Sequence, residues 1–134
     1  MAVSAKRFAD RNPLPLGRGG SQSGEKGESE IERWVKDLVR ESSKSKDSRV
    51  NLKKLYFHLD LLREYGTRAG EPYVKHLEDD IWELRPIDNR VLFFYWKNDT
   101  FVLLHYFRKK TQKTPKREIE QAKRNRDDFL RRIK

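Results

Sequence analysis

Residues 81–111, IWELRPIDNRVLFFYWKNDTFVLLHYFRKKT, decide the reading of this 134-residue chain. Three runs rich in Val, Leu, Phe, Tyr and Trp, at 81–85, 90–96 and 101–107, are separated by the short polar connections PIDN and KNDT. That is the pattern of consecutive antiparallel strands. Side chains alternate between the two faces along a strand. A four-residue PIDN hairpin puts Arg85 opposite Arg90, and a four-residue KNDT hairpin puts Trp96 opposite Phe101. One face then carries Trp82, Leu84, Val91, Phe93, Tyr95, Val102, Leu104 and Tyr106, an apolar surface fit to lie under helices. The other carries Ile81, Glu83, Arg85, Arg90, Leu92, Phe94, Trp96, Phe101, Leu103, His105 and Phe107. Here two arginines, a carboxylate and an imidazole stand among aromatic residues. A one-residue slip moves a strand's side chains to the opposite face, so the sorting depends on both hairpin registers.

Outward from these strands, the positive charge is uneven. Residues 108–134 hold twelve Lys/Arg and four Asp/Glu, a surplus of +8 out of the chain's +10. A localised positive field starting where the third strand ends is the electrostatic footprint of a polyanionic partner, although a solvated basic helix has the same composition. Charged residues make up 39% of the chain and hydrophobic ones 35%, enough for one modest core with part of the chain left unpacked. Cysteine is absent, which excludes disulfides and thiolate metal sites and fits a reducing cytosol. No apolar run has the length of a membrane span and the start lacks a signal-peptide core, so the expectation is a cytoplasmic protein with no membrane partner.

Upstream, residues 1–28 read as a flexible Gly/Pro/Ser-rich segment in which 2–8 is a candidate weak first strand. Ser29 and Glu32 have capping-box spacing, and Ile31, Trp34, Val35, Leu38 and Val39 form one helical stripe. A second helix is predicted over about 49–65, with Leu52, Leu55, Tyr56, Leu59 and Leu62 on one side and Gly66 as its stop. His58 lies near that stripe with no ligand partner at suitable spacing and reads as structural. Residues 66–72 form a loop, 73–77 a short strand, and Asp79-Asp80 a turn rather than a metal site. Downstream, Thr114-Pro115 reads as an N-cap followed by proline at the first position of a last helix, with a thin stripe of Ile119, Ala122, Phe129 and Leu130. The class is α+β, in the order α-α-β-β-β-β-α.

The polar face has the groups for metal-free RNA cleavage. Guanidinium pairs hold a phosphate and stay charged, and a histidine moves protons near neutral pH. Cations at the developing charge supply the largest rate term. No cofactor or metal is needed. The same residues admit a structural reading, with Arg85 and Glu83 as an ion pair and His105 as a satisfied sheet residue.

WELRPIDNRVLFFYW, followed by FVLLHYFRKKTQKTPKREIEQAK and preceded by EPYVKHL, closely resembles the HigB-like, phage-related branch of the RelE/ParE toxin superfamily. The resemblance covers roughly residues 29–134 and is most specific in FRKKTQKTPKREI. It implies a RelE-like fold for 29–134: an antiparallel sheet of about four strands, two N-terminal helices packed on one face, and a basic C-terminal helix. It also implies the toxin of a type II toxin–antitoxin system, a ribosome-dependent endoribonuclease that cuts mRNA in the ribosomal A site. The implied partners are mRNA, the ribosome and a helix-turn-helix antitoxin. By the same resemblance Arg90 takes the place of a phosphate-binding arginine, with Arg85 beside it. Lys109 takes that of a basic catalytic residue after the last strand, with Arg108 and Lys110 as alternates. Lys75, Arg108, Lys110, Lys113 and Lys116 are the implied RNA contacts. The position of the RelE lysine base is Glu83 here, so the base is Glu83 or His105, with His105 the expected proton carrier, or the acceleration rests mainly on cationic stabilisation. Two other readings stand beside this one: a non-catalytic inhibitor of DNA gyrase like the ParE branch, and a basic nucleic-acid-binding accessory module.

Overall fold

The computed structural model describes residues 2–4 and 30–133. Strands β1 (Ala2–Ser4), β2 (Val74–Glu78), β3 (Ile81–Leu84), β4 (Asn89–Tyr95) and β5 (Thr100–Arg108) form one antiparallel sheet in the order β1-β5-β4-β3-β2. Helices α1 (Glu30–Glu41) and α2 (Lys46–Tyr65) cover one face, and α3 (Lys116–Arg132) covers part of the other. This is the expected α+β architecture, with β1 as a fifth strand along Thr100–Val102. The Ser29 cap and the flexible reading of 5–28 lie outside the described residues.

The helical stripes bury as their spacing predicts, with two exceptions, Val39 and, in α3, Leu130. Ile31 and Val35 of α1 and Leu55, Leu59 and Leu62 of α2 pack against Leu84, Val91 and Phe93. Each large side chain so buried stabilises the fold by about 1.5–3 kcal/mol relative to exposure. Trp34 stacks on Tyr106 with ring centroids 4.2 Å apart, tying α1 to β5. Val39, read into the same stripe, is exposed near the end of α1. Helix α2 starts three residues before the expected Arg49, because Ser45 is extended and its hydroxyl accepts from the Ser48 N–H at 3.2 Å. Gly66 ends it as expected, at φ +61° and donating to the Leu62 carbonyl. The loop after it begins as a short 3-10 turn, Gly66–Ala69.

The first hairpin has the expected register: Trp82 pairs with Phe93, Glu83 with Leu92 and Leu84 with Val91. The second departs from it. Asn98 and Asp99 adopt left-handed conformations (φ 50° and 56°), which Asn and Asp tolerate better than other side chains. Thr100 consequently joins β5, and Tyr95 rather than Trp96 opposes Phe101. Phe101 and Leu103 therefore join the core beneath α1 and α2, while Val102 and Leu104 turn to the α3 side, the reverse of the expected sorting. A bulge between Leu92 and Phe93 restores the original register, so His105 still opposes Leu92. The Leu104 carbonyl at the bulge accepts from Asn125 of α3 at 2.8 Å.

His58 is structural, as read: it is buried, and its Nδ1 donates to the Lys54 carbonyl at 2.8 Å. Burial holds its pKa below the ordinary histidine value, and the nearby charges of Lys54 and Arg90 act in the same direction. The unfolded chain therefore binds a proton near pH 6.5 that the folded chain takes up only at lower pH, and stability falls as pH drops through that window. Thermal melts between pH 7 and 5 should show a smaller acid loss for His58→Leu than for the wild type. Equal slopes would assign the acid sensitivity elsewhere.

Candidate active site

The PIDN hairpin builds one corner of the site. Asn89 N–H closes the turn on the Pro86 carbonyl at 2.9 Å, and Ile87 is held at φ 42°. A β-branched residue in that region stores about 1–3 kcal/mol of strain. Arg90 secures the turn: its Nη1 donates to the carbonyls of Ile87 (3.0 Å) and Asn89 (2.8 Å). Its guanidinium is buried, which lowers its pKa from the ordinary arginine value, and the charge of Glu83 opposes that shift. Arginine remains charged under such shifts.

Glu83 is 2% exposed, yet both its oxygens are engaged. Oε1 lies 3.6 Å from Nε of Arg85, and Oε2 accepts a hydrogen bond from the Thr114 hydroxyl. Thr114 was expected to cap the last helix. Its hydroxyl instead reaches across to the sheet, and Pro115 occupies the cap position without a side-chain bond. Arg85 is 21% exposed and stands at the open edge of the cluster. Lys75 pairs with Glu83 in the strand register and is exposed.

His105 shares this face, as its register requires, but the face is not open. The first turns of α3 lie over it, with Ile119 and Ala122 buried against the sheet. Nε2 of His105 lies 2.6 Å from Oε1 of Glu118, at side-chain exposures of 12% and 18%. Nδ1 is buried with no hydrogen-bond partner. A carboxylate against one ring nitrogen fixes the imidazole's orientation. Sequence reasoning missed Glu118. Its one signal is an acidic residue in the first turn of a basic helix, and that does not point to a histidine thirteen residues upstream.

The basic segment splits into two groups. Arg108 lies 3.9 Å from Asp88, and the Lys109 N–H donates to the Asp88 carbonyl at 2.7 Å. Among the described residues the side chains of Lys109, Lys110 and Lys113 have no ion-pair partner, and Lys110 and Lys113 are exposed. The helix is different. Lys116 bridges Glu78 at 3.1 Å, Lys123 bridges Glu78 at 2.6 Å and Asp79 at 3.0 Å, and Arg126 binds Asp80. The Asp79-Asp80 turn thus also anchors α3. Hydrogen bonds from Lys123 and then Lys116 hold the Glu78 carboxyl below the usual carboxylate range, and Glu78 and Asp79 push Lys123 well above the usual lysine range. Lys116, counted among the RNA contacts, is therefore already committed to a carboxylate.

Among the described residues no group of three or more His, Asp and Glu side chains converges in a way that would hold a metal ion. No helix there is long and apolar enough to cross a membrane. Residues 42–127 match the family described as Phage derived protein Gp49-like (DUF891), a span that contains every residue of the cluster above. No curated protein matches the chain.

Proposed function

The chain belongs to the phage-derived Gp49-like family, a toxin-like family of the RelE/HigB type, and from that premise we propose that it is the toxin of a type II toxin–antitoxin pair, acting as a ribosome-dependent mRNA endoribonuclease. The observation that supports this reading is that Arg90 and His105 share one sheet face, with Arg85 beside Glu83 and Arg90 at its edge and the lysines of 109–113 following the last strand. Arg85 meets the scissile phosphate from the open edge, and Arg90 adds charge from below. Lys109, Lys110 and Lys113 hold the flanking backbone. Attack by the 2′-OH needs a proton acceptor, and the leaving 5′-oxygen needs a donor. His105, oriented by Glu118, is better fitted than Glu83, whose two oxygens are already engaged. Preorganised cations supply most of the acceleration.

The burial of His105 favours one competing reading, a non-catalytic inhibitor of DNA gyrase like the ParE branch, which needs no proton carrier. Mapping transcript 5′ ends by primer extension after a short induction separates the two. New ends within translated frames, absent when translation is blocked, are the expected result. Intact mRNA with an induced DNA-damage response would replace the nuclease reading by the gyrase one.

A further inference from the structure

An exposed aromatic ring of α2 stands near the two arginines and has no part in the cluster above. Phe57 is 48% exposed, and two neighbours hold it edge-to-face: His58, with centroids 5.5 Å apart and planes at 83°, and Tyr73, at 6.1 Å and 70°. His58 and Tyr73 also meet at 5.7 Å, so the three rings brace one another. Edge-to-face contacts of this kind fix a ring's orientation. Two links tie the cluster to the candidate site. The Arg85 N–H donates to the Tyr73 carbonyl at 3.1 Å, which makes the two residues neighbours across the sheet. Burial and then the charges of Lys54 and Arg90 lower the pKa of His58, so the rings lie within the field of both cations. The other exposed Phe and Tyr side chains described, Tyr65 and Tyr95, line a cleft at the far end of α2. Phe94 is buried, and Tyr106 is stacked on Trp34.

We propose that Phe57 is the stacking platform for an unpaired RNA base flanking the phosphate that Arg85 meets, with Lys53 and Lys54 on the adjoining backbone. Unpaired bases are recognised by stacking on aromatic side chains beside cations that track the phosphates. Two observations favour a nucleic acid over a protein partner. Lys53 and Lys54 are exposed on the turn before Phe57, and Lys75, two residues after Tyr73, is exposed as well. Helix α2 runs from the level of Arg90 toward Tyr95, so these two lysines stand on the arginine side of Phe57 and the exposed Asp60 on the far side. The apolar surface here is also narrow. Val50, the preceding exposed apolar residue of α2, is about two turns away, whereas a protein interface needs a contiguous apolar centre. The place beside a scissile phosphate rests on the nuclease reading. The stacking contact itself requires no cleavage.

The test titrates the full chain with a short oligodeoxyadenylate, which has no 2′-OH and is not cut, and with an abasic phosphodiester of the same length. The wild type should bind the oligoadenylate about 10- to 100-fold more tightly than the abasic chain, the ratio expected for one stacked base. Phe57→Ala should abolish that preference without weakening the abasic chain, and Phe57→Trp should keep it. Lys54→Ala should weaken both probes alike. Equal binding of the two probes by the wild type, or a folded Phe57→Ala that keeps the preference, overturns the proposal. A Phe57→Ala variant that keeps the preference but escapes neutralisation by the antitoxin would make the ring a protein contact instead. Intact mRNA after induction, with the stacking preference present, would remove the nuclease reading and leave the platform as a single-strand contact.

Discussion

Replacing Arg85 with alanine should lower mRNA cleavage by about 10²–10³-fold while leaving the protein folded. Arg85 stands at the open edge of the cluster, with its Nε 3.6 Å from Glu83, too long for a strong hydrogen bond. Under the proposed nuclease reading, its removal takes away the cation that meets the incoming phosphate. It also weakens the compensation of Glu83, but the charge of Arg90 and the hydroxyl of Thr114 remain beside that carboxylate. Arg90→Ala is a different experiment, because Arg90 also closes the strained Ile87 turn through two carbonyls. It should lower stability and activity together. The assay is cleavage in a translating extract, paired with a thermal melt of each variant. Arg85→Ala cutting at the wild-type rate would remove this edge from the site. Arg85→Lys should recover only part of the loss, since an ammonium cannot hold a phosphate with two parallel donors.

How far the sequence led depended on whether the deciding interaction was local. The PIDN hairpin was legible because alternation and turn length fix its register, and Glu83 faces Leu92 as the spacing requires. The second hairpin failed for an equally local reason that composition does not reveal: Asn98 and Asp99 both take left-handed conformations and draw Thr100 into the strand. The bulge near Leu104 then returns His105 to the expected face, so its position was right although Leu103 and Leu104 were exchanged. The placement of α3 was not legible. Its stripe is thin, and it is held over the sheet by contacts distant in sequence: Glu78 and Asp79 with Lys123, Leu104 with Asn125, and Glu83 with Thr114. No periodicity encodes such pairs. Hence the polar face was found, and its cover was not.

That cover leads to the second large effect. Glu83→Ala should lower the unfolding free energy by about 3–5 kcal/mol, the range for removing one partner of a buried charge pair. The loss has three parts. Thr114 loses its acceptor, Arg85 and the buried Arg90 lose the negative charge between them, and a cavity opens beneath the start of α3. Glu83→Gln keeps the shape and can still accept from Thr114 but lacks the charge, so it should fall between alanine and wild type in urea melts. The same pair of variants assigns the proton carrier. If Glu83 aligns the arginines, Glu83→Gln retains cleavage within about tenfold of wild type at temperatures where it is folded, whereas His105→Gln loses about 10²–10⁴-fold, the usual share of a general acid–base group. A stable Glu83→Gln with no detectable cleavage would reverse the assignment and make the buried carboxylate the base. A Glu83→Ala variant as stable as wild type would mean that the charge cluster does not hold α3 to the sheet.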